Sequence, residues 1–252
     1  MKHFYISIIT FSIVVLCSGQ EVFNIESLRE ATDKKWTGSL GLNIGLIKNV
    51  NDVFWLSNNA HIQYKDSINY WLLYSNLSFQ KLDGASFVNR GTQHLRYNYK
   101  INESIKLEAF VQSQYDAISE IDFRGLAGIG PRFKLSNNDS CYKIYLGTLI
   151  MYEHEKTSGI DGEIIERNIR GSSYLSFSLY PTDAISIVST SYYQPILKEL
   201  TDYRLSNNTT LSFKIIEKLS FTTNFNYSYD AFPVQGIPKT QYDLTNGLSY
   251  NF

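Results

Sequence analysis

The sequence predicts an all-β protein: a closed antiparallel up-and-down transmembrane β-barrel of about 12 strands. Three observations carry this reading. Apolar residues recur at every second position from Trp36 onward, the connections between the alternating segments are by turns short and long, and the charges within the segments gather on the face opposite the apolar one. A period of two is the pleat of a strand, and a sheet with one face against hydrocarbon and the other around a polar interior needs this pattern.

Composition agrees. Aromatic residues make up 15% of the chain, with 19 Tyr and 15 Phe, while charged residues reach only 19% and Pro is scarce at 5. Such a mixture fits pleated, half-buried surfaces better than helices. The 23 basic and 24 acidic residues nearly cancel and no Lys/Arg-rich block occurs, which argues against a nucleic-acid partner. Mean hydropathy is slightly negative and no long apolar run follows Leu16. Neither point opposes a barrel, because only alternate residues meet lipid.

At the N-terminus, Met1-Lys2-His3 precedes an apolar run from Phe4 to Leu16 and then Cys17-Ser18-Gly19. This is the pattern of a secretory signal peptide over 1–19, cleaved after Gly19. The apolar run is shorter than the ~20 residues that span a bilayer. A lipid-modified Cys17 would want a small residue before it, where Leu16 stands. Residues 20–35 then form a periplasmic lead-in and 36–252 the barrel. Cys141 is the one thiol left, which excludes an intramolecular disulfide or a multi-Cys zinc site.

The elements follow in order. Trp36, Gly38, Leu40, Leu42, Ile44 and Leu46 share the first apolar face, followed by Leu56, Ala60, Ile62 and Tyr64. Then come Trp71, Leu73, Leu77 and Phe79; Leu95, Tyr97 and Tyr99; Ile105, Leu107, Ala109, Val111 and Tyr115; and Ala127, Ile129, Phe133 and Leu135. Tyr142, Ile144, Leu146, Ile150 and Tyr152 precede Leu175, Phe177 and Leu179, and four weaker runs lie over 185–193, 205–213, 219–229 and 242–252. Tilted strands of roughly 10 to 12 residues cross a bilayer.

Short connections are expected at 65–69, 101–104, 136–140, 181–183 and 216–218, and long loops at 81–91, 116–123, 156–168, 195–202 and 231–240. Outward aromatics mark both ends: Trp71, Tyr99, Phe133, Tyr142, Phe221 and Phe252 on the short-turn side, and Phe54, Phe79, Tyr115, Tyr152, Tyr193, Tyr229 and Tyr242 on the other. His94, Arg96, Glu108, Arg132, Lys143, Arg170 and Arg204 fall on the inward face. A soluble sandwich would show its charges to solvent, whereas a charge facing lipid costs roughly 2 to 4 kcal/mol at mid-depth. Because an open edge in hydrocarbon leaves backbone groups unpaired, the last strand is expected to pair with the first. Pro131 cannot donate to a ladder, so a bulge or kink is expected there, with Gly128 and Gly130 giving the backbone room.

The closing residues Asn246, Gly247, Tyr250 and Phe252 match a C-terminal outer-membrane assembly signal, a polar residue and Gly followed by apolar positions that end in Phe. The run from Arg124 to Leu135, with Tyr145 to Glu155 after it and Trp36 to Asn43 before, resembles the outer-membrane barrel family catalogued as domain of unknown function 481. The resemblance implies a barrel in the outer membrane of a Gram-negative bacterium, with outer-membrane lipid and the barrel-assembly machinery as partners. It brings no activity, and no catalytic or metal-binding residue is assigned.

Counting outward from loop centres places Glu108 opposite Arg132 and diagonal to Arg96, and Glu153 opposite Arg170 near the outer mouth. Paired charges in an interior are most often structural; surplus Arg and Lys would instead favour anionic solutes. His61 and His94 face inward beside Ser and Asn residues and are candidate general bases. In Glu153-His154-Glu155 only the two carboxylates can share a site. The sequence therefore favours a non-enzymatic barrel without a cofactor: a narrow pore, a small-ligand binder or a structural component of the envelope. A barrel-embedded hydrolase or lipid-modifying enzyme is the alternative, and a docking subunit of an envelope complex a third; the partner could be a small solute or an envelope protein.

Overall fold

The computed structural model describes residues 35–48, 52–83, 85–136, 141–159, 162–217 and 219–250. The signal peptide, the lead-in up to residue 34 and Phe252 lie outside them. Twelve strands follow in chain order: β1 (Trp36–Lys48), β2 (Asp52–Lys65), β3 (Asn69–Leu82), β4 (Ala85–Lys100), β5 (Ile105–Asp116), β6 (Ile121–Lys134), β7 (Tyr142–Gly159), β8 (Gly162–Thr182), β9 (Ile185–Ile196), β10 (Glu199–Ile216), β11 (Leu219–Asp230) and β12 (Thr240–Tyr250). They form one antiparallel sheet in which each strand pairs with the next.

The sheet is curled, because interior side chains meet across several strands: Tyr174 on β8 reaches Glu108 on β5, and Arg204 on β10 reaches Glu153 on β7. β1 and β12 stand at the two ends of the order, and no ladder between them is among the described pairings.

Alternation sorts the two faces as the period requires. Leu73, Leu95, Val111, Ile129, Ile150 and Leu175 are exposed on the convex face, with Trp71, Tyr99 and Tyr142 toward one end and Tyr152, Tyr193 and Tyr242 toward the other. A continuous apolar surface of this extent marks contact with lipid or a partner rather than with water. The concave face is not wholly polar. Leu149, Tyr174 and Tyr192 form a small cluster with Phe110 against it.

Short turns join β2 to β3, β4 to β5 and β8 to β9. Asp66 builds the first by accepting from the backbone N–H of Ile68 (2.8 Å) and Asn69 (2.6 Å), and Asn102 builds the second in the same way with Ser104 and Ile105. Those backbone donors, that of Asn69 foremost, hold the Asp66 carboxyl down at about 2. The Lys100 ammonium, 2.5 Å away, lowers that of Glu103.

The opposite end departs from expectation. Of the five regions expected as long loops three are mostly strand and 116–123 is half strand, and among the described residues only 231–239 is a loop of any length. The strands run on because their alternating residues keep pairing beyond the apolar band. β8 reaches 21 residues where β12 has 11.

Pro131 also differs from expectation. The β6–β7 register is the same on either side of it, from Ile129↔Ile150 to Arg132↔Gly147, so the ladder skips two pairs without a bulge. The glycine beside it is there for room, as anticipated: a Cβ on Gly130 would lie 2.1 Å from the Thr148 carbonyl oxygen.

Candidate functional site

The concave side of β4 to β11 carries two linked groups of buried charges. Register decides their pairing. In β4–β5 Glu108 lies opposite Asn98, and in β5–β6 it lies opposite Gly130 rather than Arg132. In β7–β8 Glu153 faces Asn168, and Arg170 faces Met151. Both expected pairings were off by two residues, because the turns are longer or shorter than counting from loop centres assumes. A shift of two preserves the face, so the partners still meet on the diagonal.

Glu108 is fully buried and sits at the centre of the first group. Its carboxylate takes Arg96 Nη1 at 3.0 Å and Asn98 Nδ2 at 2.9 Å, with Arg132 Nη1 at 3.8 Å. Tyr174 Oη joins them by donating to Glu108 (3.1 Å to Oε2) and accepting from Arg132 Nη1 (3.0 Å). The Arg132 guanidinium lies 4.0 Å over the Tyr145 ring.

The second group lies nearer the long-strand end. Glu153 binds Arg124 Nη2 at 2.6 Å, Arg170 Nε at 2.5 Å and Arg204 Nη1 at 2.8 Å. Glu155 accepts from both terminal nitrogens of Arg204, at 2.8 and 2.9 Å, and from Arg124 Nε at 3.1 Å. Arg204 Nε reaches Asp230 at 2.7 Å, and Arg170 Nη1 reaches Asp202 at 3.1 Å. Five guanidiniums (Arg96, Arg124, Arg132, Arg170, Arg204) thus face five carboxylates (Glu108, Glu153, Glu155, Asp202, Asp230). Within the two groups the charges therefore balance, and Lys143 stands on the same wall outside them.

Removing a charge from water costs several kcal/mol, which only close, well-partnered ions recover. These partners come from β4, β5, β6, β7, β8, β10 and β11, so the network braces strands that are not neighbours. Between the two groups the wall leaves a void of about 30 Å3 bordered by His94, Arg96, Glu108, Arg124 and Tyr174. That is room for water alone.

Glu153 and Glu155 do share a site, occupied by Arg124 and Arg204, while His154 points to the other face against Phe123. Arg124 and Tyr174 were not singled out from sequence as site residues. Inward parity with Arg132 was the one available signal for Arg124. Lys143 is half-buried near the short-turn end, its Nζ 5.8 Å from the Tyr180 ring.

Neither inward histidine is equivalent to the other. His94 stacks on Phe110, its Nδ1 bonded to Gln112 Oε1 at 2.8 Å and its Nε2 receiving Arg96 Nε at 3.3 Å, so both ring nitrogens are engaged without a nucleophile. His61 Nδ1 lies 3.0 Å from Ser39 Oγ on the facing strand.

The other part of the interior is less charged, with Asp243 on β12 accepting from Asn226 Nδ2 at 2.8 Å. Ser39 and Asn43 on β1 and Thr245 and Gly247 on β12 are exposed, and Asn246 of the expected assembly signal bonds Thr223 at 2.8 Å.

Comparison with known structures agrees on the fold. A NanC porin structure aligns with a TM-score of 0.50 at 8% identity, covering 84% of this chain and 100% of the porin. The translocator domain of the autotransporter NalP from Neisseria meningitidis gives 0.42 at 10% identity over 90% of this chain and 92% of its own, and the CymD monoaromatic hydrocarbon channel 0.41 at 10% over 86% and 79%. No curated protein sequence matches the chain. Its architecture is that of a porin-like outer-membrane β-barrel. Residues 52–252 match the family described as "Protein of unknown function, DUF481", and with most of its length so matched the chain belongs to that family.

Proposed function

We propose that the protein is a narrow passive pore of a Gram-negative outer membrane, passing small polar solutes along the less charged side of its interior. The observation that carries this is the division of the concave face. A filled wall over β4 to β11, whose central void is water-sized, stands against a side lined by Ser39, Asn43, Thr245 and Gly247 without bulk, with Asp243 among them. Small linings with little charge impose no steric plug and only a weak electrostatic barrier. In the bilayer this reading requires β1 to pair with β12, since unpaired edge groups in hydrocarbon cost several kcal/mol each. Assembly machinery would engage the C-terminal signal that ends in Phe252.

Single-channel recording in planar bilayers tests the proposal. Small, weakly ion-selective steps are expected, with Asn43→Trp reducing them several-fold and Arg132→Lys leaving them nearly unchanged. Repeated reconstitution without channel events would remove the pore.

One observation favours a second reading. Ser39 Oγ and His61 Nδ1 form the nucleophile–base contact from which hydrolytic sites are built, although such sites also need donors for an oxyanion. A fluorophosphonate probe labelling the wild type but not Ser39→Ala would support a hydrolase. No labelling of the folded protein would exclude it.

A further inference from the structure

At the long-strand end the 231–239 loop folds over a cavity of about 170 Å3. The loop is held there by its own contacts: the Asp230 carboxylate accepts from Phe232 N at 3.0 Å, Ala231 N donates to the Tyr203 carbonyl at 3.1 Å, and Ile237 N donates to the Val234 carbonyl at 3.0 Å. We propose that this cavity is a binding site for a small organic ammonium ion with a short apolar body.

The lining divides into two parts. Phe232, Pro233, Val234 and Ile164 supply an apolar side, Glu166 and Gln241 an acceptor side, and the mutually paired Glu155, Arg204 and Asp230 lie beneath them. Gln241 is 5% exposed, and while its Nε2 donates to the Pro238 carbonyl at 3.4 Å, its buried Oε1 has no partner among the described residues. A buried acceptor without a donor costs about 1 to 3 kcal/mol, which a ligand N–H would relieve.

Charge points the same way. Glu166 lies directly opposite Glu155 in the β7–β8 ladder, a like-charge pairing that destabilises a sheet. The nearby cation does not correct it, because Arg204 is already divided among Glu153, Glu155 and Asp230. Glu166 itself is described with only a 3.4 Å bond from Asn168 Nδ2. One positive charge delivered to Glu166, with a further N–H for Gln241, completes both groups. A bare divalent ion would want six or more oxygens around it, and half of this lining is hydrocarbon. A cavity of ~150 Å3 accommodates a benzene-sized body.

Isothermal titration of the folded protein in detergent micelles with benzylammonium chloride tests the site, and needs no current, so it stands or falls apart from the pore. Saturable binding is expected, weakened about tenfold in Glu166→Gln, as the loss of one charge-assisted bond implies. Phe232→Ala should weaken it less, and benzyl alcohol should not bind at the same concentrations. Glu166 is exposed, so that variant keeps its fold, which its heat-modified gel mobility checks. Equal binding of benzyl alcohol, unchanged affinity in Glu166→Gln, or displacement of benzylammonium by equimolar calcium would each overturn the proposal.

Discussion

On β4 to β11 the inward side chains that matter are long, ionised and buried; on β12 and β1 they are mostly Ser, Asn, Thr and Gly, and exposed, with Asp243 and the buried Gln241 toward the long-strand end. Both arrangements give a polar interior, but they do different mechanical work. Arg204 alone touches carboxylates from β7 and β11, tying strands that share no backbone ladder to one another. Nothing comparable reaches from β1 or β12 among the described ion pairs, where Lys48–Asp52 is an exposed pair within one hairpin. Charge is concentrated where it braces the sheet and is sparse on β1 and β12.

The difference breaks most visibly at Glu153. Changing it to Gln leaves Arg124, Arg170 and Arg204 each short of a buried partner, and removing one member of such a group costs roughly 3 to 5 kcal/mol. Asn43→Ala, on the less charged side, should stay within about 0.5 kcal/mol of wild type. Urea titrations in lipid vesicles, followed by tryptophan fluorescence, give both midpoints. Equal midpoints for the two variants would show that the ion pairs do not hold the wall.

A smaller test uses two glycines that each face an aromatic ring. A Cβ at Gly147 would come 2.1 Å from the Tyr174 ring, and one at Gly45 would come 1.9 Å from that of Trp55. The distances alone predict similar damage. Tyr174, however, is 2% exposed and fixed by Glu108 and Arg132, whereas Trp55 is only partly buried beside the edge strand and can turn away. Gly147→Ala is therefore expected to cost about 1 to 3 kcal/mol, the usual range for overpacking, and Gly45→Ala clearly less. The same urea midpoints decide it.

The outward face was legible because lipid tests each residue separately. Leu73, Val111, Ile129 and Ile150 could be placed by parity alone, and parity survives an error of two in register. For the same reason Glu108, Arg96 and Arg132 were grouped together although Glu108 faces Gly130, not Arg132. Loops were less legible, since Gly162 to Asn168 were placed in a long loop yet extend a hairpin once their partners are in place. Of the second charge group Glu153 and Arg170 were paired in advance, whereas Arg204 escaped because it lies on β10 and meets Glu153 on β7 only when the sheet curls. No local spacing encodes that contact.

The smallest expected effect lies outside both walls, in the turn joining β2 to β3. Asp66 holds Ile68 N and Asn69 N with one oxygen, and its carboxyl titrates near 2 instead of its ordinary 3.8. A folded-state value below the unfolded one means the charge stabilises the fold above about pH 3.8, and that the contribution fades as pH falls through 2. Asp66→Asn keeps an oxygen for the two N–H groups but has no charge to lose. The urea midpoint of the wild type should exceed that of the variant at pH 5, and the gap should narrow at pH 3 and close near pH 2. Subtracting the variant cancels the interior carboxylates, which titrate in both proteins. A gap that persists at pH 2 would mean that the shape of the side chain, and not its charge, sets this turn, leaving the charged wall as the one place where ionisation supports the barrel.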